Sequence, residues 1–221
     1  ILFSVIFYFK SSGHHRDLHS FPTRRSSDLV VACNTATTNA IEYLRQNYSI
    51  PFIGIEPAIK PASIKTKTKN IGILATKGTL NSHLFAATSK NLNQEVHVIE
   101  QVGEGLVELI ENGKIISKEM TETLTNHLQK LLKYDIDYLV LGCTHYPYLI
   151  PQIQGIIGND ITIIDSGQAV AKQTKKVLEE KVLLNTQNTI KNYFFYTNTT
   201  TKVLEYVLEN NQDYCIEKLN F

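Results

Sequence analysis

The feature that most constrains this chain is a phrase that occurs twice. Tyr138-Leu139-Val140-Leu141-Gly142 is a short apolar run, and Cys143-Thr144-His145-Tyr146-Pro147 follows it directly. A run of this length, rich in Leu and Val and closed by Gly, reads as a buried strand. A thiol at the carboxyl end of such a strand points into the crevice where α/β sheets hold ligands. Pro147 restricts the backbone just past it. Earlier in the chain, Val30-Val31-Ala32-Cys33-Asn34-Thr35 repeats the pattern of apolar run, small residue, cysteine and small polar groups. One buried free cysteine usually behaves as a small hydrophobe. A matched pair, each followed by polar groups, reads instead as two halves of one site with one cysteine from each half.

The remaining text supports an α/β class. From residue 30 onward, strands alternate with helical patterns. Strands are expected at 51–55, 71–75, 95–99, 138–142 and 161–164. Helices are expected at 35–48, 80–92, 103–112, 117–132, 151–157 and 169–181. Ile41, Leu44 and Tyr48 fall on one face of the first helix, Gly113 reads as a C-cap and Ser117 as an N-cap. A strand at 193–196, a helix at 203–208 and a short last strand close the chain. Alternation of this kind gives two lobes of parallel-sheet βαβ type, with the active site in the cleft between them. The basic stretch 60–70 reads as the crossover between lobes. The expected lobes are 30–58 plus 165–221, and 59–164.

Residues 1–29 do not share this texture. An apolar run at 1–9 is too short to span a bilayer. The polar segment after it has no helical or strand period. Its basic residues follow the apolar run instead of preceding it, and no A-x-A cleavage site is present, which argues against a secretory signal. A basic arm or a His-rich metal tract is a weaker reading. The segment resembles translated sequencing-adapter sequence joined abruptly at Leu29/Val30, and is set aside from fold reasoning as a leader.

Composition excludes several classes. A formal net charge of +1 over 221 residues gives no electrostatic case for nucleic acid. Three cysteines do not form a disulfide framework, so a reducing cytoplasmic setting is expected. No run has the length of a transmembrane helix. A metal site would have only the pair Cys143 and His145, without a second well-spaced pair. No Gly-rich loop suits pyridoxal phosphate or a nucleotide, so no cofactor is expected.

The two cysteines permit a specific chemistry. A free cysteine titrates near ~8.5, and a helix N-terminus or a cation lowers that. A thiolate and a thiol facing each other across a carbon centre can remove a proton from one face and return one to the other. That is racemisation. Ser, Thr, Asn and backbone donors beside each cysteine suit a small carboxylate and ammonium substrate. His145 is placed to share a proton with Cys143 or to bind substrate. Glu111, alone, reads as a solvated helix carboxylate. Asp165 and Ser166 fit capping as well as substrate contact. Cys215 reads as structural, and Tyr146 and Tyr148 as packing of the cleft wall. A Cys-His hydrolase uses the same residues but leaves the repeated phrase unexplained.

From residue 30 to the C-terminus the sequence resembles the glutamate racemases of the aspartate/glutamate racemase superfamily. The strongest parts are Ala32-Cys33-Asn34-Thr35-Ala36 and Leu141-Gly142-Cys143-Thr144-His145-Tyr146-Pro147. Ile53-Gly54-Ile55-Glu56-Pro57, Ile71-Gly72-Ile73-Leu74-Ala75-Thr76 with Gly78-Thr79, and Ile164-Asp165-Ser166-Gly167 support them. The resemblance implies that Cys33 and Cys143 are the two catalytic acid/base residues, one for each face of the glutamate α-carbon. It implies that Asn34, Thr35, Thr144 and His145 bind the α-amino and carboxylate groups, and that Glu111 supports His145. It also implies cofactor-independent interconversion of L- and D-glutamate, a role in peptidoglycan synthesis, and a homodimer. An aspartate or other amino-acid racemase, or a non-catalytic binder of small ligands, are the alternatives. The family's Asp-Ser-Gly and Pro-Tyr-Gly loops, which precede the first cysteine, are missing from residues 1–29. The expectation is therefore a truncated racemase, poorly stable and weakly active or inactive as written.

Overall fold

A computed structural model of the chain describes residues 6–7, 29–184, 193–198, 200–208 and 214–219. Among these residues it is an α/β protein built on three sheets. The first joins β1 (Ile6–Phe7), β2 (Leu29–Val31) and β3 (Phe52–Gly54) in that order. β2 and β3 run parallel, with Val30 opposite Ile53, while β1 runs antiparallel to β2. The second sheet is fully parallel, with order β5-β4-β6-β7: His97–Val102, Asn70–Ala75, Tyr138–Gly142 and Thr162–Ile164. The third pairs β8 (Tyr193–Thr197) with β9 (Tyr214–Lys218), also parallel.

The central strands follow from composition. Ile71, Ile73, Leu74 and Ala75 of β4 and Leu139 and Val140 of β6 are fully buried, as expected for strands covered on both faces. Gly142 lies opposite Ala75, and a Cβ there would stand 2.7 Å from the Ala75 methyl. The glycine lets the two strand ends close before the chain turns into Cys143.

Helices pack on these sheets by their apolar stripes. α1 (Asn34–Asn47) follows β2 and buries Ile41. Tyr48, expected on the same face, sits beyond the helix end, 45% exposed, with its ring tilted against Phe52. Extended backbone at this C-cap turns it off the stripe. α2 (Ile59–Lys65) occupies part of the stretch read as a crossover. Only Ile59 and Ala62 of it are buried, a repeat too short to register as helical periodicity in a lysine-rich stretch. α3 (Lys77–Leu80) forms where a loop is expected at 76–79, and α4 (His83–Lys90) is the helix expected at 80–92, starting later because Ser82 caps it by accepting from the Phe85 N–H at 3.2 Å. α5 (Leu106–Glu111) ends at Asn112, and Gly113 follows with φ +71°, a conformation suited to glycine.

α6 (Lys118–Leu131) starts on Ser117, whose hydroxyl accepts from the Met120 N–H at 3.1 Å. Its stripe of Met120, Leu124, Leu128 and Leu131 is buried in the largest core. Truncation of Leu124 to alanine there would cost about 2–5 kcal/mol. α7 (Ile150–Ile157) continues from a single 3-10 turn at Tyr146–Leu149. α8 (Gly167–Glu180) packs on β3, and α9 (Lys202–Val207) lies between β8 and β9 in sequence.

Two expectations about the start of the chain change. Leu29, assigned to the leader, opens β2, where it is buried and opposite Phe52. The apolar run set aside from fold reasoning supplies β1, with Ile6 opposite Val31 and Phe7 opposite Val30. β2 would otherwise present an unpaired edge on that side, and a short extended segment satisfies its backbone groups. The rest of residues 1–28 lies outside the described residues. Among the described residues, no helix is long and apolar enough to cross a membrane.

Candidate active site

Both cysteines stand at carboxyl ends of parallel strands. β2 leads through Ala32 into Cys33, which is the N-cap of α1; the Ala36 N–H points to its Sγ at 3.5 Å. The positive end of the helix dipole therefore faces this sulfur. Buried bonds fix the turn. The Thr37 hydroxyl donates to the Val31 carbonyl at 3.0 Å and accepts from the Ile55 N–H at 3.1 Å. Asn34, 3% exposed, donates its side-chain amide to the Ile55 carbonyl at 3.5 Å. The carboxyl ends of β2 and β3 are thus tied together beneath Cys33.

Cys143 follows β6 and is 8% exposed. Burial pushes its thiol up to about 12. The nearby Cys33 adds in the same direction, while the N–H groups of His145 and Tyr146 oppose it. Cys33 therefore lies near enough to act on the Cys143 thiol electrostatically. Cys143 is accordingly a thiol across the neutral range.

Its neighbours form a chain. Nδ1 of His145 lies 3.7 Å from Cys143 Sγ, and Nε2 lies 2.5 Å from Glu111 Oε1. A carboxylate only accepts, so Nε2 carries the hydrogen and Nδ1 is left to accept from the thiol. Both side chains are largely enclosed, His145 at 17% and Glu111 at 22% exposure. This strengthens the interaction relative to a surface pair. Glu111 is reached from the end of α5, and the structure makes it the partner of His145 instead of a solvated carboxylate.

A hydroxyl cluster joins the first cysteine loop to the second sheet. Thr35 Oγ1 lies 2.7 Å from Thr76 Oγ1 and 3.1 Å from Thr79 Oγ1, and these two lie 3.1 Å apart. Asn39 donates to the Gly78 carbonyl at 3.4 Å beside them. A Cβ at Gly78 would stand 2.7 Å from the Thr35 methyl, so α1 and α3 approach this closely only over glycine. Thr35 is a candidate from the sequence, whereas Thr76 and Thr79 stand only within a supporting motif of the resemblance, without a role. Thr144, between Cys143 and His145, is half-buried.

Other candidates have local partners of their own. Asp165 Oδ1 accepts from the Gly167 N–H at 2.6 Å, which is capping of α8, and Ser166 donates to the Glu56 carbonyl. Tyr146, expected on the cleft wall, is fully buried in the core, while Tyr148 is 44% exposed. Cys215 lies on β9 with Sγ 3.5 Å from Glu217 Oε1. Among the described residues, no group of three His, Cys, Asp or Glu side chains could hold a metal ion.

This fold and pair of cysteine loops define a class. Residues 24–174 match the Asp/Glu/Hydantoin racemase family, and the chain belongs to that family, whose members are isomerases. Within it, the chain is 41% identical over 189 residues to a glutamate racemase of Pseudomonas putida, covering 85% of this chain and 71% of that protein. A glutamate racemase of Herpetosiphon aurantiacus is 43% identical over 159 residues, or 72% of this chain; the chain spans 63% of that relative's length. Among solved structures, Escherichia coli glutamate racemase, in complex with L-glutamate and the activator UDP-MurNAc-Ala, superposes with a TM-score of 0.73. It is 28% identical, and the match covers 86% of this chain and 73% of that one.

Proposed function

We propose that the chain carries the two-cysteine site of a cofactor-independent glutamate racemase. The observation that bears most weight is the Cys143–His145–Glu111 chain, with Cys33 near enough to act electrostatically on Cys143. One sulfur, as thiolate, removes the α-proton of glutamate. The other, as thiol, delivers a proton to the opposite face. One Cα–H bond breaks and one forms, and the proton balance closes on the two sulfurs. Burial keeps Cys143 protonated, which suits it to deliver the proton in the first turnover. In the reverse direction, Nδ1 of His145 is placed to hold the proton that Cys143 gives up.

Asn34, Thr35, Thr144 and His145 bind the amino and carboxylate groups in this reading, and Glu111 orients His145. The first lobe is residues 29–58 plus 165–221, with β1 added to its sheet, and the second is 59–164. Support comes from the separate sheets and from the packing of α8 back onto β3. Glutamate as substrate is supported by the Pseudomonas and Herpetosiphon relatives and by the L-glutamate complex of the Escherichia coli protein. A cytoplasmic enzyme supplying D-glutamate for peptidoglycan, acting as a homodimer, completes the proposal. The peptidoglycan role draws support from UDP-MurNAc-Ala, named as activator of the Escherichia coli protein.

The test is incubation of the purified chain with L-glutamate, without added cofactor, both as written and with a relative's N-terminal segment placed ahead of Leu29, followed by chiral separation. D-Glutamate is expected from the extended form, and less or none from the chain as written. Turnover of aspartate with none of glutamate would move the substrate assignment. Turnover of no amino acid by either form would favour a binding protein.

A further inference from the structure

Tyr146 carries a bond that the proposed chemistry does not use. Its side chain is fully buried, yet its hydroxyl donates to the Gly103 carbonyl at 3.1 Å. A buried phenol needs such a partner, and this one lies 43 residues away in the loop that opens α5. Gly103 is itself held to the end of β4, its N–H donating to the Ala75 carbonyl at 2.9 Å. A side chain at residue 103 would overlap the Tyr146 ring and the Leu106 side chain, so the fit is close.

The consequence lies at the other end of α5. The helix runs from Leu106 to Glu111, about 9 Å at 1.5 Å per residue. Glu111 at its end holds His145, the residue next to Tyr146. The cysteine turn and α5 are therefore joined twice, at the helix start by Tyr146 and at its end by His145. Leu106, Leu109, Ile110, Tyr146 and Cys143 fill the space between in one core. Two attachments and a packed interior fix the helix in both position and rotation, where one attachment would leave it free to swing.

We propose that Tyr146 is a positioning residue for racemisation: its bond to Gly103 sets α5 so that Glu111 meets His145 and orients it toward Cys143. The inference rests on the racemase reading for its activity readout, and on geometry alone for its structural one.

Tyr146→Phe tests it, because the ring stays and only the hydroxyl is lost. The expected result is about a tenfold fall in kcat, with KM unchanged within about twofold. In a Glu111→Gln background, the same substitution should cost less than about twofold, because the residue it acts through is already gone. Equal losses in both backgrounds, or no loss in either, would overturn the proposal. Ring nitrogen signals of His145 in the full chain, read by NMR, need no turnover. They should move in Tyr146→Phe toward their positions in Glu111→Gln. They should stay in place in Leu124→Val, a core change on α6 that leaves the hydroxyl bond intact. Unmoved signals in Tyr146→Phe would overturn the proposal even in an active enzyme. Moved signals in a chain that turns over no glutamate, even with a relative's N-terminal segment placed ahead of Leu29, would keep it and refute the racemase reading instead.

Discussion

Glu111 Oε1 and His145 Nε2 lie 2.5 Å apart, although 34 residues separate them in sequence. The contact decides the tautomer of the imidazole and turns its free nitrogen to Cys143. Glu111→Gln keeps the shape but gives the ring a weaker, neutral partner. kcat should fall about 10–100-fold while KM for glutamate changes little. Steady-state racemisation in both directions checks this. A raised KM with unchanged kcat would mean that Glu111 serves binding instead.

The buried thiol of Cys143 should leave a mark on alkaline stability. Its folded value is raised from 9.0 to about 12. Below the unfolded value both states hold the proton, and the full contribution is present. As pH rises toward 12, the unfolded state releases its proton while the folded state keeps it, so stability falls. Loss of this thiol in Cys143→Ala should flatten the alkaline limb of a denaturant-midpoint profile between about pH 9 and 11. Over the whole window the difference is on the order of a few kcal/mol. Parallel profiles for parent and variant would contradict it.

Asp137 should act at the other end of the scale. Burial tends to raise its carboxyl, but bonds from the Thr66 hydroxyl at 2.5 Å, the Lys67 N–H at 2.6 Å and the Thr68 N–H at 3.3 Å outweigh this and hold it low. The stability it contributes is present above the unfolded carboxylate range, near ~3.9, and is lost as pH falls through the lower folded value. Asp137→Asn should therefore cost about 1 kcal/mol at pH 7 and less at pH 3, measured by urea unfolding. An equal cost at both pH values would show that the charge is irrelevant.

Two glycines should respond oppositely to alanine. At Gly78 the added methyl group meets Thr35, so Gly78→Ala should displace the start of α1 and raise KM for glutamate several-fold. At Gly155, in α7, nothing lies within 4 Å of the added carbon. Gly155→Ala should stabilise by about 0.5–1 kcal/mol with activity unchanged. Thermal melting and racemisation assays distinguish the two.

Much of this arrangement could be read from the sequence because local signals and tertiary need agreed. The apolar runs at β4 and β6 are buried on both faces, and Ser117 and Gly113 cap where their chemistry predicts. The repeated cysteine phrase located both loops. What could not be read was settled by contacts distant in sequence. α2 has only two buried positions and reads as polar chain until Ile59 and Ala62 find the core. Tyr146 and Tyr148 are alike by composition, yet Gly103 draws one into the interior and the other faces solvent. Thr76 and Thr79 gain their partner only when α1 arrives beside β4. Glu111 was legible only through family resemblance, since nothing in its own helix distinguishes it.

The central claim is that both sulfurs move protons at one carbon. The most direct measurement is deuterium incorporation at the α-carbon of L-glutamate in D₂O, for the parent chain carrying a relative's N-terminal segment ahead of Leu29, and for Cys33→Ser and Cys143→Ser in that form. The account predicts that deuterium appears with inversion in the parent, and that either substitution abolishes formation of D-glutamate. Inversion that survives Cys33→Ser would contradict it, leaving Cys143 and His145 as a site that works without the first cysteine.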